Sequence, residues 1–261
     1  MWNAVFKLLT ELSSRKWLSG ITGWFAKSAM SRRMIPRFAR LYGINPDHAE
    51  KTIDEYTSLN DFFTRRLKPG LRPIDQAQDA LVSPVDAKIT GIGPIKDGLL
   101  LNVKGQDYTV DELLNRSPRA VNYRNGFYIV LYLSPTDYHR IHSPLSGKVL
   151  ESEHVRGKVY PVNEFGMRQM RKTLSRNERL ITYLRHAGGE LAVVKVGAMN
   201  VSSIRYVEPL GNQLERGQEL AYFEFGSTVV LLMESETFRP RQDLMVNSKV
   251  IMGEGLGTML R

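Results

Sequence analysis

From about residue 80 onward, short apolar runs alternate with turn residues along the chain. The runs are rich in β-branched and aromatic residues, and Gly, Pro and Asn separate them. Runs of this kind are typical of short β-strands joined by tight turns. The predicted strands cover 80–85, 88–92, 99–103, 127–133, 148–155, 191–196 and 220–232. We therefore predict an α+β fold: a mainly antiparallel β body with small helices.

Helical spacing replaces this pattern in residues 1–45. Apolar side chains recur every three or four positions, as expected for two or three short amphipathic helices. The spaced residues are Trp2, Val5, Phe6, Leu9 and Leu12, then Trp17, Ile21, Trp24 and Phe25, and then Ile35, Phe38, Ala39 and Tyr42. Capping patterns that start at Ser58 and Thr109 predict two further short helices. Residues 167–175 are predicted to form a helix or a mobile loop.

Two seven-residue stretches of the β region resemble each other. Ser-Pro-Val-Asp-Ala-Lys-Ile at 83–89 recurs as Ser-Pro-Leu-Ser-Gly-Lys-Val at 143–149. In both stretches a Ser-Pro turn leads into a predicted strand. The repetition suggests a duplicated β unit, arranged as a sandwich or a barrel with pseudo-two-fold symmetry.

The positive charge of the chain is concentrated in its N-terminal segment. The formal net charge is +9, and residues 1–45 hold eight basic residues against one acidic residue, together with all three Trp. Aromatic side chains beside basic ones are typical of helices that lie in the interface of an anionic membrane. The residues predicted to contact the membrane are Trp2, Phe6, Trp17, Trp24 and Phe25.

We therefore divide the chain into a membrane-surface segment, residues 1–45, and a catalytic domain, residues 46–261. The alternative for the segment is a helical subdomain packed on the core. The body is nearly neutral, and this asymmetry disfavours a nucleic-acid partner, which would favour basic residues along a groove of the body.

Composition also narrows the chemistry and the location. The chain contains no Cys, so disulfides, thiolate metal sites and a Cys nucleophile are excluded. No apolar run reaches the roughly 18 residues needed to cross a bilayer, and the N-terminus lacks the pattern of a secretory signal. We expect a peripheral protein on the cytoplasmic side of the cell membrane.

A Gly-Ser-Thr sequence interrupts the longest apolar run, 219–232. Gly in a strand pattern marks a bend or a close backbone approach, and a strained Gly carbonyl is open to attack by the hydroxyl of the next residue. The bond between Gly226 and Ser227 is therefore a candidate for self-cleavage. The alternative is a β-bulge or a tight hairpin without chemistry.

Two histidines, His139 and His142, follow the apolar run 127–133 and a Ser-Pro turn. Loops at strand ends often carry functional groups. One interpretation is a metal site, but that needs a third ligand. We favour acid-base chemistry without a metal, because His titrates near neutrality. Asp86 lies in a separate β segment, so Ser227, His142 and Asp86 are a candidate set for activating the Ser hydroxyl.

Four motifs, taken in order, resemble the phosphatidylserine decarboxylase family in its short bacterial form. They are Ser83-Pro84-Val85-Asp86, the run from Tyr132 to His142, Val196-Gly197-Ala198-Met199-Asn200 and Phe225-Gly226-Ser227-Thr228. Phe62-Phe63-Thr64-Arg65 and Arg72-Pro73-Ile74 fit the same family. The resemblance extends from about residue 56 to the C-terminus.

The resemblance implies a self-processing proenzyme. Ser227 would attack the carbonyl of Gly226, and the chain would divide into residues 1–226 and residues 227–261. Ser227 would thereby become a covalent pyruvoyl group, the cofactor of the enzyme. By the pattern of the family, Asp86 and His142 would assist Ser227 in this maturation.

By the same resemblance, the activity is decarboxylation of phosphatidylserine to phosphatidylethanolamine through a Schiff base, a step of phospholipid biosynthesis. His139 would assist decarboxylation or protonate the substrate carbon. The implied partners are phosphatidylserine, an anionic membrane surface and the two cleavage chains of one molecule, and a higher homo-oligomer is left open. Two alternatives remain: a non-enzymatic lipoyl- or phosphocarrier-like β domain, and a pyruvoyl decarboxylase of a soluble amino acid.

Overall fold

A computed structural model of the protein describes residues 23–103, 105–162, 170–198, 204–207, 210–224 and 227–260, with the backbone alone at 101, 102 and 227. Its α-helices are short: α1 Ile35–Leu41, α2 Leu59–Phe63, α3 Val110–Leu113 and α4 Thr173–Arg176. Residues 23–27 are also helical. Turns of 3-10 helix cover Ala29–Met34, Pro46–His48, Ile53–Glu55 and Pro118–Tyr123.

Antiparallel strands form most of the body, which confirms the predicted fold class. The strands are β1 Ala80–Val82, β2 Ala87–Pro94, β3 Leu99–Val103, β4 Gln106–Thr109, β5 Phe127–Leu133, β6 Arg140–His142, β7 Gly147–Val155, β8 Arg179–His186, β9 Gly189–Gly197, β10 Ile204–Tyr206, β11 Gln213–Leu214, β12 Glu219–Phe223, β13 Ser227–Met233, β14 Phe238–Pro240, β15 Lys249–Val250 and β16 Gly255–Met259.

The central sheet has eight strands in the order β11-β7-β8-β9-β13-β5-β2-β15. Strand β13 is buried on both faces: Val229 and Leu231 belong to one apolar core, and Val230 and Leu232 belong to the other. A fully buried Val or Leu side chain contributes about 1.5–3 kcal/mol relative to an exposed one. The two cores therefore hold β13 firmly between β5 and β9.

The predicted repeat is a duplicated β unit. The three-stranded sheet β1-β16-β14 has the same pairing, with the same register shift, as the sheet β6-β12-β10. In the central sheet, β2-β5-β13 corresponds to β7-β8-β9 in the same way. A pseudo-two-fold axis that passes between the paired residues Leu231 of β13 and Val193 of β9 relates the two halves. Strands β11 and β15 end the central sheet, so the described residues contain no closed barrel.

The two Ser-Pro turns have the same hydrogen bonds, which explains the sequence repeat. Ser83 Oγ donates to the carbonyl oxygen of Val85 at 2.7 Å, and Ser143 Oγ donates to that of Leu145 at 2.8 Å. Both Ser side chains are fully buried. Each turn thus satisfies its own backbone inside the core and directs the chain into β2 or β7.

Several predicted elements differ in extent from those observed. The run 220–232 is two strands in two different sheets, because the chain leaves β12 at Phe223 and enters β13 at Ser227. Ser58 caps α2 as predicted, with its Oγ accepting from the Asp61 amide at 3.2 Å, and the helix spans Leu59–Phe63. Strand β8 was not predicted.

Residues 35–62 form a small apolar cluster that includes Ile35, Ala39 and Ile44. Beside it, five large apolar side chains are exposed: Trp24, Phe25, Met30, Met34 and Leu41. Of the predicted membrane contacts, Trp2, Phe6 and Trp17 lie outside the described residues. Within those residues, no helix combines the length and the hydropathy needed to cross a bilayer. The domain boundary at residue 45 stays a prediction.

Candidate active site

Three strand ends meet where β13 begins. The register pairs Ser227 with Leu133, the last residue of β5, and with Gly197, the last residue of β9. From Leu133 the chain runs through residues 134–139 into β6, which brings both predicted histidines into this region. Gly226, the other residue of the predicted cleavage site, lies outside the described residues.

His139 is fully buried, and its carbonyl oxygen accepts from the amide of Phe223, the last residue of β12, at 3.1 Å. Its Nδ1 lies 2.8 Å from the backbone carbonyl oxygen of Asp137. A carbonyl oxygen only accepts, so Nδ1 carries the proton and Nε2 carries the lone pair. Nε2 is buried and has no hydrogen-bond partner among the described residues. The ring packs on Phe63 with 4.1 Å between centroids.

Burial of the His139 ring lowers its pKa from the ordinary value to about 3. The charged form loses more solvation than the neutral form, and the positive charge of Arg65 acts in the same direction. His139 is therefore a neutral imidazole at physiological pH, with a free lone pair in an apolar setting. Such a group accepts a proton only from a bound partner.

The segment before His139 is held by its own hydrogen bonds. Asp137 Oδ2 accepts from both the amide and the hydroxyl of Ser134, each at 2.7 Å. Burial raises the pKa of Asp137. These two hydrogen bonds from Ser134 hold the turn that carries the Asp137 carbonyl, and that carbonyl selects the tautomer of His139.

His142 has a different environment from His139. Its Nδ1 lies 2.7 Å from the carbonyl oxygen of Gly217, and its Nε2 lies 3.1 Å from the hydroxyl of Tyr138. The carbonyl requires the proton on Nδ1, so Nε2 accepts from the Tyr138 hydroxyl. Burial lowers the pKa of His142 as well. Both nitrogens of His142 are thus engaged, whereas His139 has one that is free.

Asp86 is held by contacts other than His142. Its carboxylate accepts from Arg72 through both oxygens, with Arg72 Nε at 2.7 Å from Oδ1, and it also accepts from the amide of Met252 at 2.9 Å. Its negative charge still acts on His142, where it favours the protonated ring. The structure therefore places Asp86 near His142 without a hydrogen bond between them, and the roles predicted for Ser227, His142 and Asp86 stay predictions.

A cleft of about 980 Å³ lies beside α2 and β6. Its lining is mostly polar and includes Thr64, Arg66, Arg140, His154, Arg205 and Tyr222. Arg66 and Arg140 share the carboxylate of Glu219. Arg140 directly follows His139 in the chain, but His139, His142 and Asp86 are not part of the lining.

Sequence reasoning missed four groups that shape this region. Arg72 and Tyr138 bind predicted site residues, His154 pairs with Glu178 at 2.7 Å on the cleft wall, and Lys195 is buried in β9. Tyr138 and Arg72 had a local signal, because Tyr138 lies in the same motif as both histidines and Arg72 begins the motif Arg72-Pro73-Ile74. Among the described residues, no group of three His, Asp or Glu side chains is placed to bind a metal ion.

Comparisons with known proteins agree with the motifs. The family described as phosphatidylserine decarboxylase matches residues 59–258. A phosphatidylserine decarboxylase proenzyme of Geobacillus kaustophilus (strain HTA426) is 44% identical over 254 residues, covering 97% of this chain and 96% of the relative. A protein of the same name from Bacillus thuringiensis (strain Al Hakam) is 42% identical over 260 residues, covering 100% and 99%.

Proposed function

Because this chain belongs to the phosphatidylserine decarboxylase family, we propose that it decarboxylates phosphatidylserine to phosphatidylethanolamine, using a pyruvoyl group made from its own Ser227. The observation that carries the proposal is the neutral, fully buried His139, whose Nε2 has a free lone pair. Similarity to proenzymes supports the maturation step, since a proenzyme must be processed before it acts.

Maturation begins with attack of the Ser227 hydroxyl on the carbonyl carbon of Gly226. The peptide bond becomes an ester, and β-elimination then leaves a carboxylate on Gly226 and a dehydroalanine at position 227. Water replaces the nitrogen of the dehydroalanine, ammonia leaves, and the pyruvoyl group results. The products are the chains 1–226 and 227–261 of one molecule. We assign Asp86 and His142 to this step, as the family motif implies.

The residues around the start of β13 support a group of this kind. Gly197, which pairs with Ser227, brings no side chain to this point. The unpartnered Nε2 of His139 is a buried polar atom whose burial is costly unless a bound group meets it. A pyruvoyl carbonyl condenses with an amine and accepts the electron pair released as carbon dioxide leaves.

In this proposal His139 moves one proton twice. The amine of the lipid arrives as an ammonium, whose pKa falls when the same apolar site removes it from water; the neutral Nε2 takes its proton as the nitrogen forms its bond to the carbonyl. The protonated ring is then a strong acid, because burial lowers the pKa of His139 to about 3. It returns the proton to the carbon that has lost the carboxylate.

We also propose that the enzyme works at the cytoplasmic face of the cell membrane. The exposed side chains of Trp24, Met34 and Leu41 are 67%, 43% and 75% accessible, and they alternate with basic residues such as Arg33 and Arg37. Such a surface suits an anionic bilayer, where each basic residue contributes about 1 kcal/mol. A lipid substrate requires access to that bilayer.

Intact mass under denaturing conditions, combined with assay of carbon dioxide release, tests the proposed function. We expect two chains, the smaller of which begins at position 227 with a pyruvoyl group, and release of carbon dioxide from phosphatidylserine vesicles. The Ser227→Ala variant should stay intact and inactive. A single uncleaved mass for the wild-type chain, or activity on free serine in place of the lipid, would overturn the proposal.

A further inference from the structure

Within the described part of the chain, Arg65 is a buried cation without an anionic partner. It follows α2 and is only 5% exposed. Its one hydrogen bond to a described residue runs from Nη1 to the carbonyl oxygen of Phe62, at the long distance of 3.5 Å. Its Nε is buried and unpartnered among the described residues. The guanidinium lies over the ring of Phe62, 5.2 Å from the centroid.

The neighbouring arginines differ from Arg65 in this respect. Arg66 and Arg140 bind Glu219, and Arg72 binds Asp86. A guanidinium stays protonated even in an apolar setting, although burial lowers the pKa of Arg65. A buried charge is costly unless an opposite charge and hydrogen bonds meet it. Arg179 is equally buried, but carbonyl oxygens accept from its guanidinium. Among the described residues, Arg65 thus retains a buried positive charge whose donors are largely unmet.

This charge lies beside the candidate active site. Phe63, two residues earlier, packs on the ring of His139. The charge of Arg65 acts on His139, on Tyr138 and on Asp86, which places the guanidinium within electrostatic range of all three. An anion bound by Arg65 would therefore lie next to the group that handles the proton.

We propose that Arg65 is a substrate-recognition residue that binds an anionic oxygen of the lipid headgroup. The inference rests on the proposed function, which supplies a headgroup with two such anions, the phosphodiester and the carboxylate. Binding either one satisfies the free donors of the guanidinium with charge-assisted hydrogen bonds. The phosphodiester persists in the product and the carboxylate does not, so ligands that carry only one of them distinguish the two sources.

A merely structural role for Arg65 makes a different prediction. Its hydrogen bond to Phe62 is that of a cation at the last turn of a helix, which stabilises the helix by roughly 0.3–1 kcal/mol. Loss of that contact would lower thermal stability without a specific effect on ligand affinity. Affinity and stability therefore have to be measured on the same variants.

The test uses the full-length chain with Ser227→Ala, so that no maturation or turnover occurs. Binding of dihexanoyl phosphatidylserine, dihexanoyl phosphatidylethanolamine and L-serine is measured by titration calorimetry, with and without Arg65→Gln. Arg124→Gln is the matched control, because Arg124 is exposed and precedes the opposite end of β5. Thermal unfolding of each variant reports on the fold.

We expect Arg65→Gln to weaken binding of dihexanoyl phosphatidylserine roughly 10- to 100-fold, as for loss of a charged hydrogen bond, and Arg65→Lys to recover part of it. Equal weakening for dihexanoyl phosphatidylethanolamine assigns the phosphodiester, and an effect confined to the two ligands with a carboxylate assigns the carboxylate. Unchanged affinities in a folded Arg65→Gln chain, or a loss matched by Arg124→Gln, would overturn the assignment.

The cleavable wild-type background separates this inference from the proposed function. There, Arg65→Gln should cleave at the wild-type rate and show a larger rise in KM than fall in kcat. If wild-type protein binds the lipid through Arg65 but neither cleaves nor releases carbon dioxide, the proposed function fails and the recognition role stands. If it does both and Arg65→Gln leaves KM unchanged, the recognition role fails alone.

Discussion

His139 and His142 are three residues apart, yet they differ in the one property that decides their chemistry. The Nε2 of His139 has no hydrogen-bond partner among the residues that the structure describes, whereas both nitrogens of His142 are engaged by Gly217 and Tyr138. Two residues of the same type therefore have different capacities to take a proton from a bound molecule. The difference comes from their hydrogen-bond partners and not from the ring itself.

Substituting each histidine separately should separate maturation from turnover. We expect His139→Asn to cleave normally and to lose about 10²- to 10⁴-fold in decarboxylation, the usual contribution of a general acid-base. We expect His142→Asn to remain a single uncleaved chain. Intact mass measures cleavage, and carbon dioxide release measures turnover.

The matched control for both variants is His48→Asn, since His48 is exposed in a surface turn. It should cleave and turn over like the wild type. Equal loss of cleavage in His139→Asn and His142→Asn would mean that the two rings act together in maturation, contrary to the division proposed above.

Lys195 is a second buried cation, with a different environment. Its Nζ donates to Thr182 Oγ1 at 2.5 Å and to the Val193 carbonyl oxygen at 3.3 Å, and it lies 5.1 Å from the ring centroid of Tyr206. The residue is fully buried, and this burial lowers the pKa of Lys195 well below its ordinary value. Unlike the guanidinium of Arg65, this amine can lose its proton and remain in the core uncharged.

The lowered pKa predicts how stability changes with pH. The unfolded chain binds a proton at this lysine below about pH 10.4, whereas the folded chain does not, so Lys195 makes unfolding easier as the pH falls. The free energy of unfolding of the Ser227→Ala chain, minus that of the same chain with Lys195→Met, should therefore rise from pH 7 to pH 9.5, by at most about 1.4 kcal/mol per pH unit. A difference independent of pH would show that the folded lysine keeps its proton. Denaturant unfolding at each pH provides the measurement.

Sequence reasoning nominates candidate site residues when the proposed role follows from their own chemistry and local motif. His139, His142, Asp86 and Ser227 are such candidates, and their roles stay predictions. Arg65 lies in a family motif and Lys195 in none, but neither was predicted as a buried cation, because burial comes from elements that are distant in the chain. A polar residue inside the core looks the same in sequence as one on the surface.

At the scale of elements, apolar content decided which strands were predictable. Strand β5, with seven consecutive residues from Phe127 to Leu133, was predicted in full. Strand β8 was missed because it buries Arg179 and Thr182. These polar groups are satisfied by partners far along the chain: Arg179 donates to the Leu113 carbonyl oxygen at 3.0 Å, and Thr182 binds Lys195.

The exposed apolar side chains near α1 have a role in membrane binding that can be tested. We expect the combined substitutions Trp24→Ser, Met34→Ser and Leu41→Ser to weaken binding to anionic vesicles by about tenfold or more, because they remove apolar surface that would enter the interface. Cosedimentation with vesicles of phosphatidylglycerol and phosphatidylcholine measures the effect.

The matched control replaces three exposed apolar residues elsewhere, with Val121→Ser, Met245→Ser and Val246→Ser. This variant should bind vesicles like the wild type. Equal losses in the two triple variants would show that the surface around α1 has no special part in membrane binding.

At the scale of the whole molecule, the proposed cleavage leaves two chains that share the central sheet and the sheet β1-β16-β14. The chain that starts at Ser227 supplies β13 inside the central sheet and β16 in the middle of the smaller one. These two sheets cannot be completed by either piece alone, so refolding of cleaved protein requires the two chains to meet.

Refolding should therefore differ between cleaved and uncleaved protein. After unfolding in guanidinium chloride and dilution to about micromolar concentration, we expect the Ser227→Ala chain to recover its structure and the cleaved protein to recover little. A connected segment has an effective concentration in the millimolar range, which the separated chain lacks. Circular dichroism follows the recovery, which should increase with the concentration of the cleaved protein. Equal and concentration-independent recovery would mean that the pieces fold independently.

The duplication has one further consequence. In one half, β8 and β9 are joined by a hairpin at Ala187 and Gly188, and in the other half the corresponding strand ends, Leu133 and Ser227, lie side by side without a direct link. Carrier domains place their lysine-bound group at such a hairpin tip, from which it swings between partners. A carbonyl at Ser227 would have no such arm, because the backbone there is paired on both sides. In the proposed function, each lipid headgroup must therefore move to a carbonyl that is fixed in the protein. The distance between that carbonyl and the bilayer surface would then limit which headgroups can reach it.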